Sequence, residues 1–186
     1  MSDTTAAILD AAERRIRVAG YNGFSFREIA ADVGVKSSSV HYHFPTKESL
    51  AVAVARRYID RFMLAIDQET GEGHDIIETW TQSFRRSLLH DGRMCLCVAL
   101  GATPATLSGE VLEEVRRFFQ LAREKLVTGG LSPQKAAHVL ACLEGAMLAA
   151  SILSAPSFFD DATASLALGT KSTVREAHRH NDAVDL

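Results

Sequence analysis

Cysteine and proline are scarce in this chain, and no export signal opens it. Its 186 residues include three cysteines and four prolines. The cysteine spacing is not that of a disulfide framework, which excludes a small secreted scaffold held together by disulfides. The N-terminus lacks the basic and then apolar pattern of a signal peptide, and we expect no apolar run to be long enough to cross a membrane. The sequence therefore predicts a cytoplasmic protein without a membrane partner.

Neither sign of charge dominates the chain, whose formal net charge is -3. This balance excludes a strongly basic protein that binds nucleic acid without selectivity. The two parts differ, since residues 1–62 carry nine Lys or Arg against seven Asp or Glu, whereas residues 63–186 carry eleven against sixteen. The length allows a small head and a larger body, and the head is the better candidate for contact with phosphate.

No stretch shows the alternation of apolar and polar residues that marks a half-buried strand, so the sequence predicts an all-α fold. Apolar positions instead recur at helical spacing, and Gly, Pro and capping residues mark the segment ends. The predicted helices begin at Thr4 or Thr5, Phe26, Ser37, Thr46, Asp75, Ser108, Ser132 and near Phe159. Glycines at 71 and 73 interrupt the pattern, which predicts a head of residues 1–62, a body of residues 63–186 and a mobile tail from about residue 172.

Residues 25–44 have the pattern of two short helices around a tight turn. Ser25 precedes Glu28 by three residues, as in a capping box, and we expect it to begin a helix that ends at Gly34. A glycine suits the left-handed backbone of such a helix end. The next helix, over 37 to 43 or 44, turns Val40 and Phe44 inward because they lie one helical turn apart. This arrangement predicts a helix-turn-helix unit.

The second helix of this unit carries polar groups on its remaining surface. A helix this short is not stable alone, so its neighbours must hold it while it presents those groups outward. A recognition helix in the major groove of DNA does this, although a solvated surface helix has the same pattern. The candidates for groove contact are Lys36, Ser37, Ser38, Ser39 and His41, and those for phosphate contact are Tyr42, His43 and Lys47.

Three motifs in the head resemble those of a known family. They are GY-x-GFS at residues 20–25, IA-x-x-x-GV at 29–35 and VHYHFPTKE-x-L at 40–50. Over about the first 60 residues the chain resembles the DNA-binding domain of TetR/AcrR-type transcriptional regulators. It departs from the family at His41, where the family usually has Tyr. A histidine there brings a neutral ring or a cation, depending on pH.

The resemblance implies a function and an assembly. It implies a three-helix head with a helix-turn-helix, joined by a connecting helix to a C-terminal helical domain for ligand binding and dimerisation. The family forms homodimers through its last two helices, which implies a roughly palindromic operator in double-stranded DNA. A small-molecule effector in the body would shift the connecting helix and release the DNA, as in a repressor. The resemblance also implies a phosphate contact for Lys47, in the first turn of a helix whose N-terminus favours an anion.

The body holds the candidates for an effector site. Apolar and aromatic side chains from several of its helices can enclose a pocket, although each is also explained as an ordinary core residue. His138 and Glu144 are more informative, because burial of a polar side chain without a partner is costly. The candidate lining residues are Trp80, Phe84, Met94, Cys95, Cys97, Phe118, His138, Glu144 and Met147.

No motif indicates a cofactor, a metal or an enzyme. His41 and His43 are two apart on a helix and point to opposite sides, and His178 and His180 lie in the predicted tail. The turn that carries the nucleophile of a serine hydrolase is also absent.

Two alternatives to a ligand-responsive regulator remain. Cys95 or Cys97 could serve an all-helical thiol oxidoreductase or a redox sensor, with Arg93 nearby to lower the pKa of a thiol. Two residues apart on a helix, these cysteines would point about 200° apart, which argues against a disulfide between them. Buried inert cysteines are common, and Cys142 fits the core. The other alternative is an architectural DNA-binding protein without an effector.

Overall fold

The computed structural model describes residues 3–91 and 94–166. Within those ranges the chain forms nine α-helices and no strand, which confirms the all-α prediction. Two 3-10 turns, Tyr21–Gly23 and Pro104–Thr106, interrupt the helices. The helices are α1 (Asp3–Ala19), α2 (Phe26–Val33), α3 (Ser37–His43), α4 (Lys47–Gly71), α5 (Ile76–Asp91), α6 (Leu96–Gly101), α7 (Gly109–Thr128), α8 (Pro133–Leu153) and α9 (Pro156–Thr163). The tail predicted from about residue 172, with His178 and His180, lies outside the described residues, as does Arg93.

The head consists of α1, α2 and α3 around a small apolar core. Ile8 and Ile16 of α1 and Ile29 of α2 are fully buried, and the two helices contact each other. The predicted start of α1 was wrong, because the helix already contains Asp3 and therefore includes both threonines instead of being capped by them. Thr5 instead lies 3.2 Å from a ring nitrogen of His43, which ties the first helix to the third.

The predicted turn between α2 and α3 is confirmed. The hydroxyl of Ser25 accepts a hydrogen bond from the Glu28 amide at 3.3 Å and donates one to the Glu28 carboxylate at 2.8 Å. Gly34 ends α2 with a left-handed backbone at a φ of 75°, a conformation that glycine adopts without the steric cost of a side chain. The turn therefore fixes the direction in which α3 leaves α2.

The connecting helix α4 has 25 residues and a length of about 37 Å. Its first turn is closed by a capping box in which the Thr46 and Ser49 side chains each accept from the other's backbone amide, at 3.1 Å. The helix packs against α1 of the head and against α5 and α7 of the body. It runs without interruption past residue 62, so the division of the chain at that position stays a prediction.

Aromatic side chains fill the centre of the body. The ring of Phe62 lies 5.4 Å from that of Trp80, 5.8 Å from Phe84 and 5.9 Å from Phe118, measured between centroids. The last three are fully or almost fully buried. Such edge-to-face pairs add to the stability gained from apolar burial, so this cluster anchors α4 to α5 and α7.

The helix α8 is more apolar than the sequence suggested. By length and composition alone, Pro133–Leu153 could cross a membrane, so the expectation that no apolar run is long enough was wrong. Packing explains its composition, because α8 contacts α5, α7 and α9 and buries residues from Ala136 to Ala150. Pro156 is the first residue of α9, as expected for a residue that has no amide hydrogen to satisfy, so this helix begins before the predicted start near Phe159.

Candidate functional site

The short helix α3 separates apolar from polar side chains as predicted. Val40 and Phe44 are buried against the head. Lys36, Ser38 and His41 are exposed, and Tyr42 is 85% exposed. The remaining candidates, Ser37, Ser39, His43 and Lys47, are half-buried. The structure thus brings all eight predicted DNA-contacting residues together at α3 and the adjoining end of α4.

Two histidines of α3 have defined neighbours. The ring of His41 packs edge to face on Phe26 of α2, with centroids 4.5 Å apart. The ring of His43 lies 5.3 Å from that of Tyr42 and close to Thr5 of α1. These contacts restrict the rotamers of both rings. His41 is therefore presented at a fixed orientation while its polar edge stays open to solvent.

Lys47 lies over two aromatic faces at the start of α4. Its ammonium is 4.8 Å from the centroid of Tyr21 and 4.6 Å from that of Phe24. Partial burial lowers the pKa of Lys47, while the cation–π contacts hold the charge in place. The Tyr21 hydroxyl donates to the Glu48 carboxylate at 3.0 Å, and burial together with this bond raises the pKa of Tyr21 to about 12. A cation is thus positioned at a helix N-terminus beside α3, where an anion is favoured.

Arg15 is engaged within the head. Its guanidinium donates to both carboxylate oxygens of Asp32, at 2.6 and 2.9 Å, and to Glu28 at 3.2 Å. The hydrogen bond from Arg15 lowers the pKa of Asp32. This fork fixes α1 against α2, so Arg15 supports the helix-turn-helix instead of pointing at a phosphate.

The predicted effector-site residues fall into two groups and one outlier. Trp80, Phe84 and Phe118 belong to the aromatic cluster around Phe62. Cys95, Cys97, Glu144 and Met147 lie together where α6 meets α8, next to Met94, which is half-buried. His138 is exposed on α8. None of these side chains lines the open cavity of about 680 Å³ between the far ends of α4 and α7.

Cys95 and Cys97 are neighbours in space, contrary to the expectation from helical geometry. Cys95 precedes α6 with an extended backbone, φ -50° and ψ 130°, so the 200° separation of helical positions does not apply. Both thiols are buried. Burial of Cys95 favours its protonated form, but interactions with the Cys97 thiol and the Val98 backbone outweigh this and lower the pKa of Cys95 to about 6. Burial and the same thiol pair raise the pKa of Cys97.

Three buried polar groups in the body lack a hydrogen-bond partner among the described residues. They are the carboxyl of Glu144, the indole nitrogen of Trp80 and the hydroxyl of Thr79. Glu144 is only 8% exposed, and burial raises the pKa of its carboxyl well above the usual range. The neighbouring Cys95 thiol is close enough to contribute to that shift. Buried groups of this kind are uncommon and usually bind water or a ligand, so the body core can accept a polar group.

Sequence reasoning missed two charged residues at the junction of head and body. Arg17 of α1 is 5% exposed, and its Nε donates to the Met94 carbonyl at 2.8 Å. Glu13, one helical turn earlier, accepts from Arg57 at 3.3 Å and from Arg61 at 2.8 Å. The only hint in the sequence was that both residues adjoin the apolar face of α1 marked by Ala12 and Ile16. No group of three possible metal ligands occurs among residues 3–91 and 94–166.

Comparison with known proteins agrees with the geometry of the head. Residues 8–54 match the model for bacterial regulatory proteins of the tetR family. A TetR transcriptional regulator from Legionella pneumophila is 27% identical with a TM-score of 0.81, over 91% of this chain and 98% of that chain. A TetR-family regulator from Agrobacterium tumefaciens is 24% identical with a TM-score of 0.83, over 88% and 95%.

A regulatory protein TetR from Rhodobacter sphaeroides, 19% identical, has a TM-score of 0.80 over 89% of this chain and 97% of that chain. No curated protein matches the chain. Residues 8–54 therefore match the sequence pattern of the tetR family of bacterial regulatory proteins, and the chain as a whole has the fold of TetR-family transcriptional regulators.

Proposed function

We propose that this chain is a repressor that binds a palindromic operator as a homodimer in the cytoplasm and is released by a small-molecule effector. The observation that carries the proposal is the exposed polar face of α3, held on the head by Val40 and Phe44. That face has the size and chemistry of a helix that enters a major groove. In this role the chain needs no cofactor and catalyses no reaction.

The residues of α3 divide between the bases and the backbone of the DNA. Lys36, Ser37, Ser38, Ser39 and His41 contact base edges or the groove floor, and Tyr42, His43 and Lys47 contact phosphates. Serine hydroxyls donate or accept, so they suit several bases, whereas the oriented ring of His41 gives a more selective contact. The position of Lys47 at the N-terminus of α4 combines an ammonium with free backbone amides, which favours a phosphate oxygen.

A homodimer through α8 and α9 is supported by an exposed apolar surface on these helices. Four side chains on it are large and more than 40% exposed, namely Leu148, Ile152, Leu153 and Phe158. Burial of such a patch against its two-fold copy removes apolar surface from water. The two copies of α3 then lie about 34 Å apart, one turn of DNA.

An effector site in the body is supported by the buried carboxyl of Glu144 and the indole nitrogen of Trp80. An unsatisfied buried polar group costs about 1–3 kcal/mol, and a ligand with its own donors and acceptors would recover that free energy. Ligand entry must then displace aromatic side chains that pack on Phe62 of α4. The effector releases DNA only if it binds more tightly to the arrangement of heads that DNA disfavours.

The coupling between body and head is carried by α4 in this proposal. Three ion pairs join α4 to α7, from Arg56 to Glu114 at 2.6 Å, from Asp60 to Arg117 at 2.6 Å, and from Asp67 to Lys125. They span three turns of the connecting helix. A movement of α7 would therefore move α4 as a rod, and α3 with it.

The experiment that tests the proposal is selection of binding sites from random duplex DNA by the purified protein. The selected site is then titrated at two salt concentrations, and the mass of the free protein is measured by light scattering. Recovery of a palindrome by a dimer supports the proposal, and its affinity should fall steeply with salt because phosphate contacts release counterions. Recovery of no preferred sequence, or a monomer on DNA, would overturn it.

A thiol-based response of the same regulator is the second candidate. The observation that favours it is the pair of adjacent thiols of Cys95 and Cys97, of which Cys95 is the more acidic. Thiolates react with electrophiles and thiols do not. Mass spectrometry of the protein after treatment with diamide decides this candidate. A disulfide between Cys95 and Cys97 that weakens operator binding supports this candidate. Thiols that remain unchanged after diamide treatment of the folded protein exclude it.

A further inference from the structure

A cleft of about 240 Å³ lies where the head meets the body. Its walls come from α1 of the head, from α4 and from α5 of the body. Three arginines line it, Arg17, Arg61 and Arg86, together with one carboxylate, Glu13. The lining therefore carries an excess of positive charge, and a concave basic surface attracts anions.

Arg17 forms the fixed floor of the cleft. Besides its bond to the Met94 carbonyl, it donates to the Ser87 hydroxyl at 2.6 Å, and its guanidinium lies 5.9 Å from the centroid of the Tyr58 ring. These contacts join α1 to α4 and α5. A buried cation held in this way contributes to the positive potential without leaving its place.

Arg61 of α4 and Arg86 of α5 belong to two different walls of the cleft, and the side chains of both are more than half exposed. Among the described residues, Arg61 binds only Glu13, through one terminal nitrogen at 2.8 and 3.0 Å. Arg86 donates to the Ser83 hydroxyl at 2.9 Å and pairs with Glu69. A guanidinium has five donors in a planar fork that matches two oxygens of a carboxylate or phosphate. The remaining donors of Arg61 are thus free to hold a second oxyanion beside Glu13.

Phe62 and Ala65 give the cleft an apolar side. Its volume is below the 300 Å³ or so at which sites for drug-sized molecules begin, so its occupant must be compact. We propose that this junction cleft binds a compact oxyanion, a small carboxylate or a phosphate, between Arg61 and Arg86, with any apolar part of the ligand against Phe62.

Binding there has a consequence for the head. The anion shares Arg61 with Glu13 of α1, which weakens that ion pair, and α1 is the first helix of the DNA-binding unit. An occupied cleft therefore weakens one of the links that hold the head on α4, and a ligand that prefers one head position shifts the population toward it. The proposal does not depend on an effector in the body core, because Trp80, Phe84 and Phe118 do not line the cleft.

The test is isothermal titration of the full chain at low ionic strength with benzoate, inorganic phosphate and the neutral analogue benzamide. We expect saturable 1:1 binding of benzoate, of phosphate or of both, and none of benzamide. The tighter of the two anions identifies an organic acid or a phosphate as the occupant. Arg61→Gln and Arg86→Gln should each weaken binding about tenfold or more, since each removes a charge-assisted hydrogen bond.

Arg116→Gln is the matched control, because Arg116 is an exposed arginine of α7 outside the cleft that pairs with Glu113. It removes the same charge and should change the affinity less than about twofold. Thermal melting of each variant confirms that the fold is kept. No saturable binding of either anion, equal binding of benzamide, or an equal loss in Arg116→Gln would overturn the proposal. Because the titration contains no DNA, its result is independent of the outcome of site selection.

Discussion

The head and the body of this protein treat their polar side chains differently. In the head, polar side chains join neighbouring groups, as in the fork of Arg15 on Asp32 and the cap of Ser25 on Glu28. In the body, Glu144 and the Trp80 indole are buried without a hydrogen-bond partner among the described residues. The bonds in the head tie its helices together, whereas the body contains buried polar groups whose hydrogen bonds a bound molecule would complete in our proposal.

The junction between the two regions is a third environment. There Glu13 binds Arg57 and Arg61 of α4, and Arg17 reaches the backbone of Met94 just before α6. Links of this kind connect rigid helices through charges that another ion can replace. In our proposal, these links allow a change in the body to reach the head.

The largest expected effect tests whether the body core is tightly packed despite its unsatisfied groups. Phe118→Ala should lower the free energy of unfolding by about 3–5 kcal/mol, because it removes a fully buried ring from the cluster around Phe62. Urea denaturation measures the change. Leu64→Ala, at a side chain that is 57% exposed, is the control and should stay within about 0.5 kcal/mol. A loss below about 1 kcal/mol for Phe118→Ala would mean that the body is loosely packed.

The buried carboxyl of Glu144 in the body predicts that the free energy of unfolding of the protein depends on pH. Its raised pKa means that the folded protein keeps this proton at a pH where the unfolded chain has lost it. Stability from this group is therefore complete below the ordinary pKa of Glu and falls as pH rises, by about 1.4 kcal/mol for each pH unit until the folded pKa is reached.

Glu144→Gln should abolish that slope, because the amide is neutral throughout. Urea denaturation between pH 5 and pH 8, a range of about three units over which the slope accumulates, compares the variant with the parent. Glu110→Gln, at an exposed position in the first turn of α7, should keep the parental slope. A parental slope in Glu144→Gln would show that the carboxyl ionises in the folded state without difficulty, and the contrast between head and body would fail.

His41 tests the head at the position where the chain departs from the TetR/AcrR-type pattern. His41→Ala should change the base preferred at one position of each half-site, with a loss of discrimination of about 1–3 kcal/mol. Site selection with the variant measures this. An unchanged selected sequence would remove His41 from base recognition and leave it as a packing partner of Phe26.

Much of the head could be predicted because its signals are local. The capping residues Ser25 and Thr46 and the helix end at Gly34 each act within a few residues, and the structure has them as expected. The prediction that Cys95 and Cys97 point apart was wrong, because Cys95 lies just before α6 with an extended backbone and the geometry of a helix does not apply to it. The burial of Arg17 could not be predicted, since its partners, Met94 and Ser87, are 70 residues or more away in sequence. Long-range pairing of this kind leaves no periodic signal.

Lys47 gives the smallest expected effect and separates charge from sequence recognition. Lys47→Ala should weaken binding to all DNA sequences alike and reduce the salt dependence by about one phosphate contact, because an ammonium at a helix N-terminus binds backbone and not bases. Titrations of the selected site and of a scrambled duplex at two salt concentrations measure both quantities. Lys135→Ala, on α8 far along the chain from the head, should leave both unchanged. If Lys47→Ala instead altered the preferred sequence, the cation–π contacts with Tyr21 and Phe24 would be what orients α3, and Lys47 would act on the bases indirectly.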